Sequence, residues 1–286
     1  MDSRLIRRLP LAALSRLVGW VARRRWPAPV LQRVLRGYVA HYGVAVEEAE
    51  SPLVGYATLE AFFTRRLRPG IRPVADATLV SPCDGTVREA VAIRDGTLLQ
   101  AKGHVYRLAE LLGPLRDWGA RFAGGRCLTL YLSPRDYHRY HSPAAMTVRH
   151  VAHIPGRRWP VNPWAIRHVP GLFVENERVV AVAETEAGWP LAMVFVAALN
   201  VGRIHLHGVG LRGHALAPTV AECGWPLAAG DEMGYFSLGS TILLLLPKEA
   251  PTLRPFAPGE AIRVGLAWAP SLPDTPAPPP PAPPPP

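Results

Sequence analysis

Leu238-Gly239-Ser240-Thr241-Ile242-Leu243-Leu244-Leu245-Leu246, closed by Pro247, is the stretch from which the fold can be read. The aliphatic run Ile242 to Leu246 is too short to span a membrane and fits a strand buried on both faces. Pro247 stops it, because proline has no amide proton to give a ladder. Gly239 leaves the carbonyl before Ser240 unshielded and admits backbone conformations closed to other residues. The junction therefore sets a hydroxyl beside an open carbonyl, at the head of a strand that would hold it still. Taken alone, the same residues also fit a turn entering a core strand.

Upstream of this strand the chain reads as β-rich from residue 73 onward. Val80 leads into a turn at Pro82-Cys83-Asp84-Gly85. Strand candidates are Val87 to Val91, Leu98 to Ala101, Cys127 to Leu132, Thr147 to His153, Val179 to Ala183, Leu191 to Val201 and Ile204 to Gly208. Glycine and proline punctuate them at roughly hairpin spacing. Tyr106 to Leu112 reads as a helical interruption, and Pro258 to Gly265 as a turn and a closing strand. No internal repeat is evident.

The N-terminal part is different. Leu14, Leu17, Val18 and Val21 share one helical face, and Leu31, Val34, Leu35 and Tyr38 share another, with Trp26-Pro27-Ala28-Pro29 between them. A further short helix ends at Phe62-Phe63-Thr64-Arg65. Over residues 1–42 nine arginines face one acid, Asp2, within a net charge of +10 for the 286-residue chain. Basic amphipathic helices with Trp20 and Trp26 at their polar edges suit an anionic bilayer surface. No nucleic-acid fold motif accompanies them, so nucleic acid is disfavoured as the partner. The alternative is a helical lid with a solvated arginine face. Cys83, Cys127 and Cys223 are far apart and odd in number, which excludes a disulfide framework or a zinc site. Charges scattered through the apolar positions of the N-terminus give no expectation of a secretory signal, and no segment reaches the roughly 18 apolar residues of a spanning helix. After Pro270 the chain is almost only proline and alanine, a polyproline-type tail unable to pack a core.

Chemistry concentrates in three further stretches. Ser81-Pro82-Cys83-Asp84-Gly85-Thr86 carries an aspartate that on its own would be a turn former. Ser133-Pro134-Arg135-Asp136-Tyr137-His138-Arg139-Tyr140-His141 carries two histidines three residues apart. No HExxH pattern or third ligand lies close by, so no metal is expected. Ala101-Lys102-Gly103-His104 is a basic turn. An aspartate, a histidine and a serine are the parts of an activated nucleophile. Ser240 lacks a GxSxG setting and no alternating strand–helix pattern is present, which disfavours an ordinary hydrolase. His205 and His207 read as ordinary strand histidines.

From about Val18 to Gly265 the chain resembles the phosphatidylserine decarboxylase proenzymes of the bacterial and mitochondrial type. The resemblance rests on many blocks in order: Phe62-Phe63-Thr64-Arg65, Arg72-Pro73, Ser81 to Gly85, Gln100 to His104, Tyr131 to His141, Val161-Asn162, Leu172 to Val179 and Glu232 to Thr241. It implies a proenzyme that cuts itself between Gly239 and Ser240, using Asp84, His141 and Ser240. His141 would take the proton of Ser240, and Asp84 would orient and stabilise the imidazolium. Ser240 would become a covalent pyruvoyl group, the cofactor, leaving a β chain of residues 1–239 and an α chain of residues 240–286. The pyruvoyl carbonyl would form a Schiff base with phosphatidylserine and release carbon dioxide to give phosphatidylethanolamine. His138 is the candidate for contact with the substrate carboxylate or for proton delivery.

The expected architecture is α+β. Residues 1–45 would be amphipathic membrane-surface helices, 46–270 a β-rich catalytic domain, and 271–286 a disordered Pro-rich tail. Expected partners are phosphatidylserine, an anionic membrane surface and the protein's own second chain, with room for a higher oligomer. The expected location is peripheral, on the cytoplasmic face of the cell membrane. The rivals are a serine peptidase acting on other proteins, which would keep Ser240 intact, and a basic surface-binding protein in which the histidine segment is structural.

Overall fold

The computed structural model describes residues 11–99, 105–199, 203–209, 217–237 and 240–270. Several stretches named above fall wholly or partly outside these residues: the first ten positions, Gln100 to His104 with the end of the Leu98 to Ala101 strand candidate, the end of the Leu191 to Val201 candidate, Leu238-Gly239 and the proline tail. The fold is mixed α+β, a sheet-rich core preceded by a short helical region.

Strand β13 (Ser240–Leu246) lies at the centre of the core. It inserts antiparallel between β9 (Pro190–Ala197) and β5 (Arg126–Leu132), with Ser240 opposite both Ala197 and Leu132. All seven of its residues are buried: the apolar run Ile242 to Leu246 requires this of five, and Ser240 and Thr241 are carried in with them. Each fully buried leucine or isoleucine contributes about 1.5–3 kcal/mol, so this ladder cannot slip without a large loss.

From β9 the sheet continues through β8 (Arg178–Thr185) and β7 (Met146–Ile154) to β11 (Thr219–Leu227) at one edge. From β5 it runs through β2 (Gly85–Arg94) and β3 (Thr97–Leu99) to β4 (Val105–Arg107). β14 (Glu260–Ile262) also pairs with β2, making ten strands among the described residues. Asp95 and Gly96, both at positive φ, close the β2–β3 hairpin, the turn type that an Asp-Gly pair favours. The segment expected to be helical from Tyr106 begins as strand β4, paired with β3, and turns helical only at Leu108 (α4, Leu108–Leu112). β11, absent from the sequence reading, alternates half-buried and exposed residues at the sheet edge.

The two faces of this sheet are covered differently. Ile242, Leu244 and Leu246 point into one core with Tyr140, Phe195, Met233 and Phe236. That face is roofed by a small sheet, β10 (Ile204–Leu206), β12 (Glu232–Phe236) and β6 (Arg139–His141), and by the pair β1 (Leu79–Val80) and β15 (Ala267–Ala269). Leu243 and Leu245 point into a second core under α4, the 3-10 turns of Gly113–Phe122, α5 (Pro163–His168) and α6 (Leu172–Glu175). Period-two alternation puts Ser240 on the first face, with Ile242.

Helices α1 (Leu11–Arg23), α2 (Ala28–Tyr42) and α3 (Leu59–Phe63) precede the sheets. Leu31, Leu35, Val44 and Phe62 form a small core of their own. Thr58 caps α3 by accepting from the Ala61 amide at 3.0 Å. Tyr38 Oη donates to the Pro134 carbonyl at 2.7 Å and so ties α2 to the histidine-bearing turn.

Candidate active site

Ser240 is fully buried, and its Oγ has no hydrogen-bond partner among the described residues. A buried hydroxyl without a partner carries a desolvation penalty of about 1–3 kcal/mol, so its retention calls for a reason.

The turn between β5 and β6 delivers both histidines. Asp136 closes it, its carboxylate accepting from the Ser133 amide and hydroxyl, each at 2.7 Å. His138 Nδ1 lies 2.9 Å from the Asp136 carbonyl. A carbonyl only accepts, so Nδ1 carries the proton and Nε2 keeps its lone pair. That Nε2 is buried and has no partner among the described residues. The ring packs on Phe63 with centroids 4.0 Å apart. Burial pushes the His138 pKa down to about 3, with the nearby Arg65 charge adding to the effect. The imidazole is therefore neutral at neutral pH.

His141 repeats the arrangement on β6. Its Nδ1 donates to the Gly230 carbonyl at 2.9 Å, which leaves Nε2 to accept from Tyr137 Oη at 3.3 Å. Burial lowers its pKa, while the Gly230 contact, Glu232 and Asp84 pull the other way. The Tyr137 phenol is pushed up by burial and stays a donor. His141 N–H also donates to the Pro82 carbonyl at 2.7 Å, binding β6 to the turn that carries Asp84.

Asp84 accepts from the Val264 amide at 2.9 Å and from Arg72 Nε and Nη2 at 3.0 and 2.6 Å. Arg72 Nη2 also reaches Glu48 at 2.7 Å. Burial opposes the charge on Arg72, but its bonds to the two carboxylates outweigh that and raise its pKa. The residue after Asp84 must be glycine. Gly85 has φ +147°, and a Cβ there would lie 2.3 Å from the Tyr131 carbonyl oxygen of β5.

The structure thus gathers Asp84, His138 and His141 about two connected turns. Phe236 N–H donates to the His138 carbonyl at 3.0 Å, which sets His138 against the end of β12, four residues before Ser240. Among the described residues no hydrogen bond joins Asp84 to His141 or either imidazole to Ser240 Oγ. Gly239 lies outside the described residues. Tyr137, Gly230 and Arg72 were given no role by sequence. Tyr137 and Arg72 sit inside motifs already singled out, whereas nothing in the sequence marks the Gly230 carbonyl. His205 stacks on Tyr235 with ring centroids 4.4 Å apart, and His207 contacts Glu232 at 2.6 Å.

Residues 59–269 match the family model described as phosphatidylserine decarboxylase. The chain is similar to the phosphatidylserine decarboxylase proenzyme of Acidovorax ebreus (strain TPSY), with 43% identity over 268 residues, covering 91% of this chain and 94% of the relative. It is also similar to the proenzymes of Polaromonas sp. (strain JS666 / ATCC BAA-500), at 41% identity with 91% and 95% covered, and Anaeromyxobacter sp. (strain K), at 42% with 91% and 94% covered. The chain belongs to the phosphatidylserine decarboxylase family, a family of carboxy-lyases.

Proposed function

We propose that the chain decarboxylates phosphatidylserine, using a pyruvoyl group that it makes from its own Ser240. The observation that carries this reading is the orphaned Ser240 hydroxyl, buried at the head of a strand fixed on both sides by its neighbours. A nucleophile kept from water and from competing partners suits an intramolecular reaction.

In the first step Ser240 Oγ attacks the Gly239 carbonyl carbon, and His141 Nε2, released from its long 3.3 Å bond with Tyr137, takes the hydroxyl proton. The Gly239–Ser240 C–N bond breaks, the nitrogen recovers that proton, and an ester replaces the amide. Loss of the Ser240 α-proton then expels the Gly239 carboxylate and leaves dehydroalanine. Water replaces the nitrogen as ammonia, and residue 240 ends as pyruvoyl at the start of a new chain. The Gly230 carbonyl fixes the tautomer of His141, and Asp84 favours its protonated form by charge. Arg72 and the Val264 amide hold Asp84 in place.

The surroundings of Ser240 fit such a group: a closed, aliphatic site flanked by unpaired polar atoms. Once formed, the pyruvoyl supplies an electrophilic carbonyl that takes up the substrate amine and draws electrons as carbon dioxide leaves. His138, neutral and with a free Nε2, serves to contact the substrate or move a proton at the reacting carbon.

Residues 1–45 act as the membrane-facing element and 46–270 as the catalytic domain. Leu17, Trp20, Val21, Val30 and Val34 are exposed on helices rich in arginine, and Trp26 is exposed in the linker between them, which supports peripheral binding to an anionic bilayer on its cytoplasmic face. No helix among the described residues is long and apolar enough to cross a membrane.

The test is to give the purified protein phosphatidylserine labelled at the serine carboxyl, in mixed vesicles. Labelled carbon dioxide and phosphatidylethanolamine should appear together, and borohydride pretreatment, which reduces a ketone, should stop both. Turnover untouched by borohydride would exclude a carbonyl cofactor. Cutting should slow as pH falls through a midpoint below the ordinary histidine value, because protonated His141 cannot act as a base. A rate that is flat from pH 8 to pH 4 would remove His141 from that role.

A further inference from the structure

Arg65 is a buried cation with unfilled donors. The residue is 4% exposed, yet its Nε and Nη1 have no acceptor among the described residues. Only Nη2 is used, donating to the carbonyls of Arg135 and Asp136 at 3.0 and 3.3 Å. Its guanidinium lies over the Phe62 ring at 5.3 Å, and its charge reaches His138. Arg65 also lines a cavity of about 240 Å³ beside Asp84 and Tyr137. The other arginines of that cavity have carboxylates: Arg72 with Glu48 and Asp84, Arg263 with Glu48 at 3.5 Å, and Arg135 with Asp136 at 3.7 Å. Asp84 and Asp136 act on Arg65 only through space. The cavity is left with one guanidinium more than its carboxylates balance.

A buried charge without a counterion is strongly unfavourable, and a bound anion relieves it. Resting on the reading of the chain as a phosphatidylserine decarboxylase, we infer that Arg65 is the residue that binds the phosphodiester of the lipid headgroup. The substrate offers two anions, and the chemistry separates them. A guanidinium on the carboxylate would stabilise the reactant charge that must vanish as carbon dioxide leaves, and so would slow the step. The phosphodiester keeps its charge throughout, so binding it anchors the substrate without opposing the reaction. Arginine suits this role because it stays charged and matches phosphate oxygens as a donor.

The experiment follows the melting temperature of the full-length protein with two soluble probes. Glycerophosphocholine has the phosphodiester with neither a carboxylate nor a primary amine, and acetate has a carboxylate with neither a phosphate nor an amine, so neither can form a Schiff base. Glycerophosphocholine should raise the melting temperature of the wild type, raise it less in Arg65→Lys, and leave Arg65→Met unmoved. Acetate should do nothing. No shift in the wild type, an equal shift in either variant, or a shift with acetate would overturn the assignment, and Arg65→Lys decides if Arg65→Met does not fold. On vesicles, cut Arg65→Met should show a KM for phosphatidylserine raised roughly tenfold with kcat nearly unchanged, since the interaction serves binding rather than the chemical step. An unchanged KM would also overturn it. Failure of the decarboxylase reading itself would show separately, as absence of carbon dioxide release by the wild type.

Discussion

Two buried polar clusters in the core are used in opposite ways. On the helical face Asn176 is fully buried and fully used: its Oδ1 accepts from the Trp159 amide at 2.8 Å, and its Nδ2 donates to the Trp159 and Ala197 carbonyls at 3.0 and 2.8 Å. Arg178 likewise spends its guanidinium on the carbonyls of Leu111, Glu110, Val174 and Asn176. Around the His138 turn and at the head of β13, Ser240 Oγ, His138 Nε2 and two nitrogens of Arg65 have no partner among the described residues. The first pattern is a clamp holding loops to a sheet. The second is what a site looks like when its hydrogen bonds are reserved for a reacting chain or a substrate.

The comparison breaks first at Ser240. Ser240→Ala should leave a single uncut chain and abolish decarboxylation, and His141→Ala should do the same. Any cutting in Ser240→Ala would remove that residue as the nucleophile. The next effect separates the two histidines. His138→Gln should still cut but lose most turnover, and full turnover would withdraw the role assigned to it. Stability sharpens the contrast between the two clusters. Asn176→Ala strands several buried backbone groups and should lower unfolding free energy by about 2–4 kcal/mol in denaturant titrations. Ser240→Ala removes an unpartnered hydroxyl and should change it by less than about 1 kcal/mol. Equal losses would mean that the Ser240 hydroxyl is structural after all. The smallest effect lies at the surface. Neutralising Arg24 and Arg25 with glutamine should weaken sedimentation with anionic vesicles by about 2 kcal/mol, with little change on neutral ones. Unchanged sedimentation would leave α1 and α2 as a lid.

Much of this was legible before folding, and the reasons are specific. Ile242 to Leu246 announced β13 because five aliphatic residues ended by proline have few other fates. Leu31 and Leu35 announced the inner face of α2, and both are buried. Yet an apolar run carries no direction, so the antiparallel insertion of β13 between β9 and β5 was not readable. β11 escaped because Gly224 and Pro226 interrupt a run of ordinary edge-strand alternation. The start of α4 was placed two residues early, because pairing with β3 overrides the local helical pattern at Tyr106. At the site, the residue types Asp84, His138, His141 and Ser240 could be named from motifs. Their partners could not. The Arg72–Asp84 ion pair joins two loops, and the acceptor for His141 Nδ1 is a backbone carbonyl, which has no sequence signature.

The central claim is that Ser240 is both nucleophile and precursor of the cofactor. Intact mass of the purified full-length protein under denaturing conditions tests it most directly. The account predicts two chains, one ending at Gly239 and one beginning at residue 240 with pyruvoyl in place of serine. Their summed mass should differ from that of the uncut chain by one water gained and one ammonia lost. An active preparation that shows a single chain with Ser240 intact would contradict it.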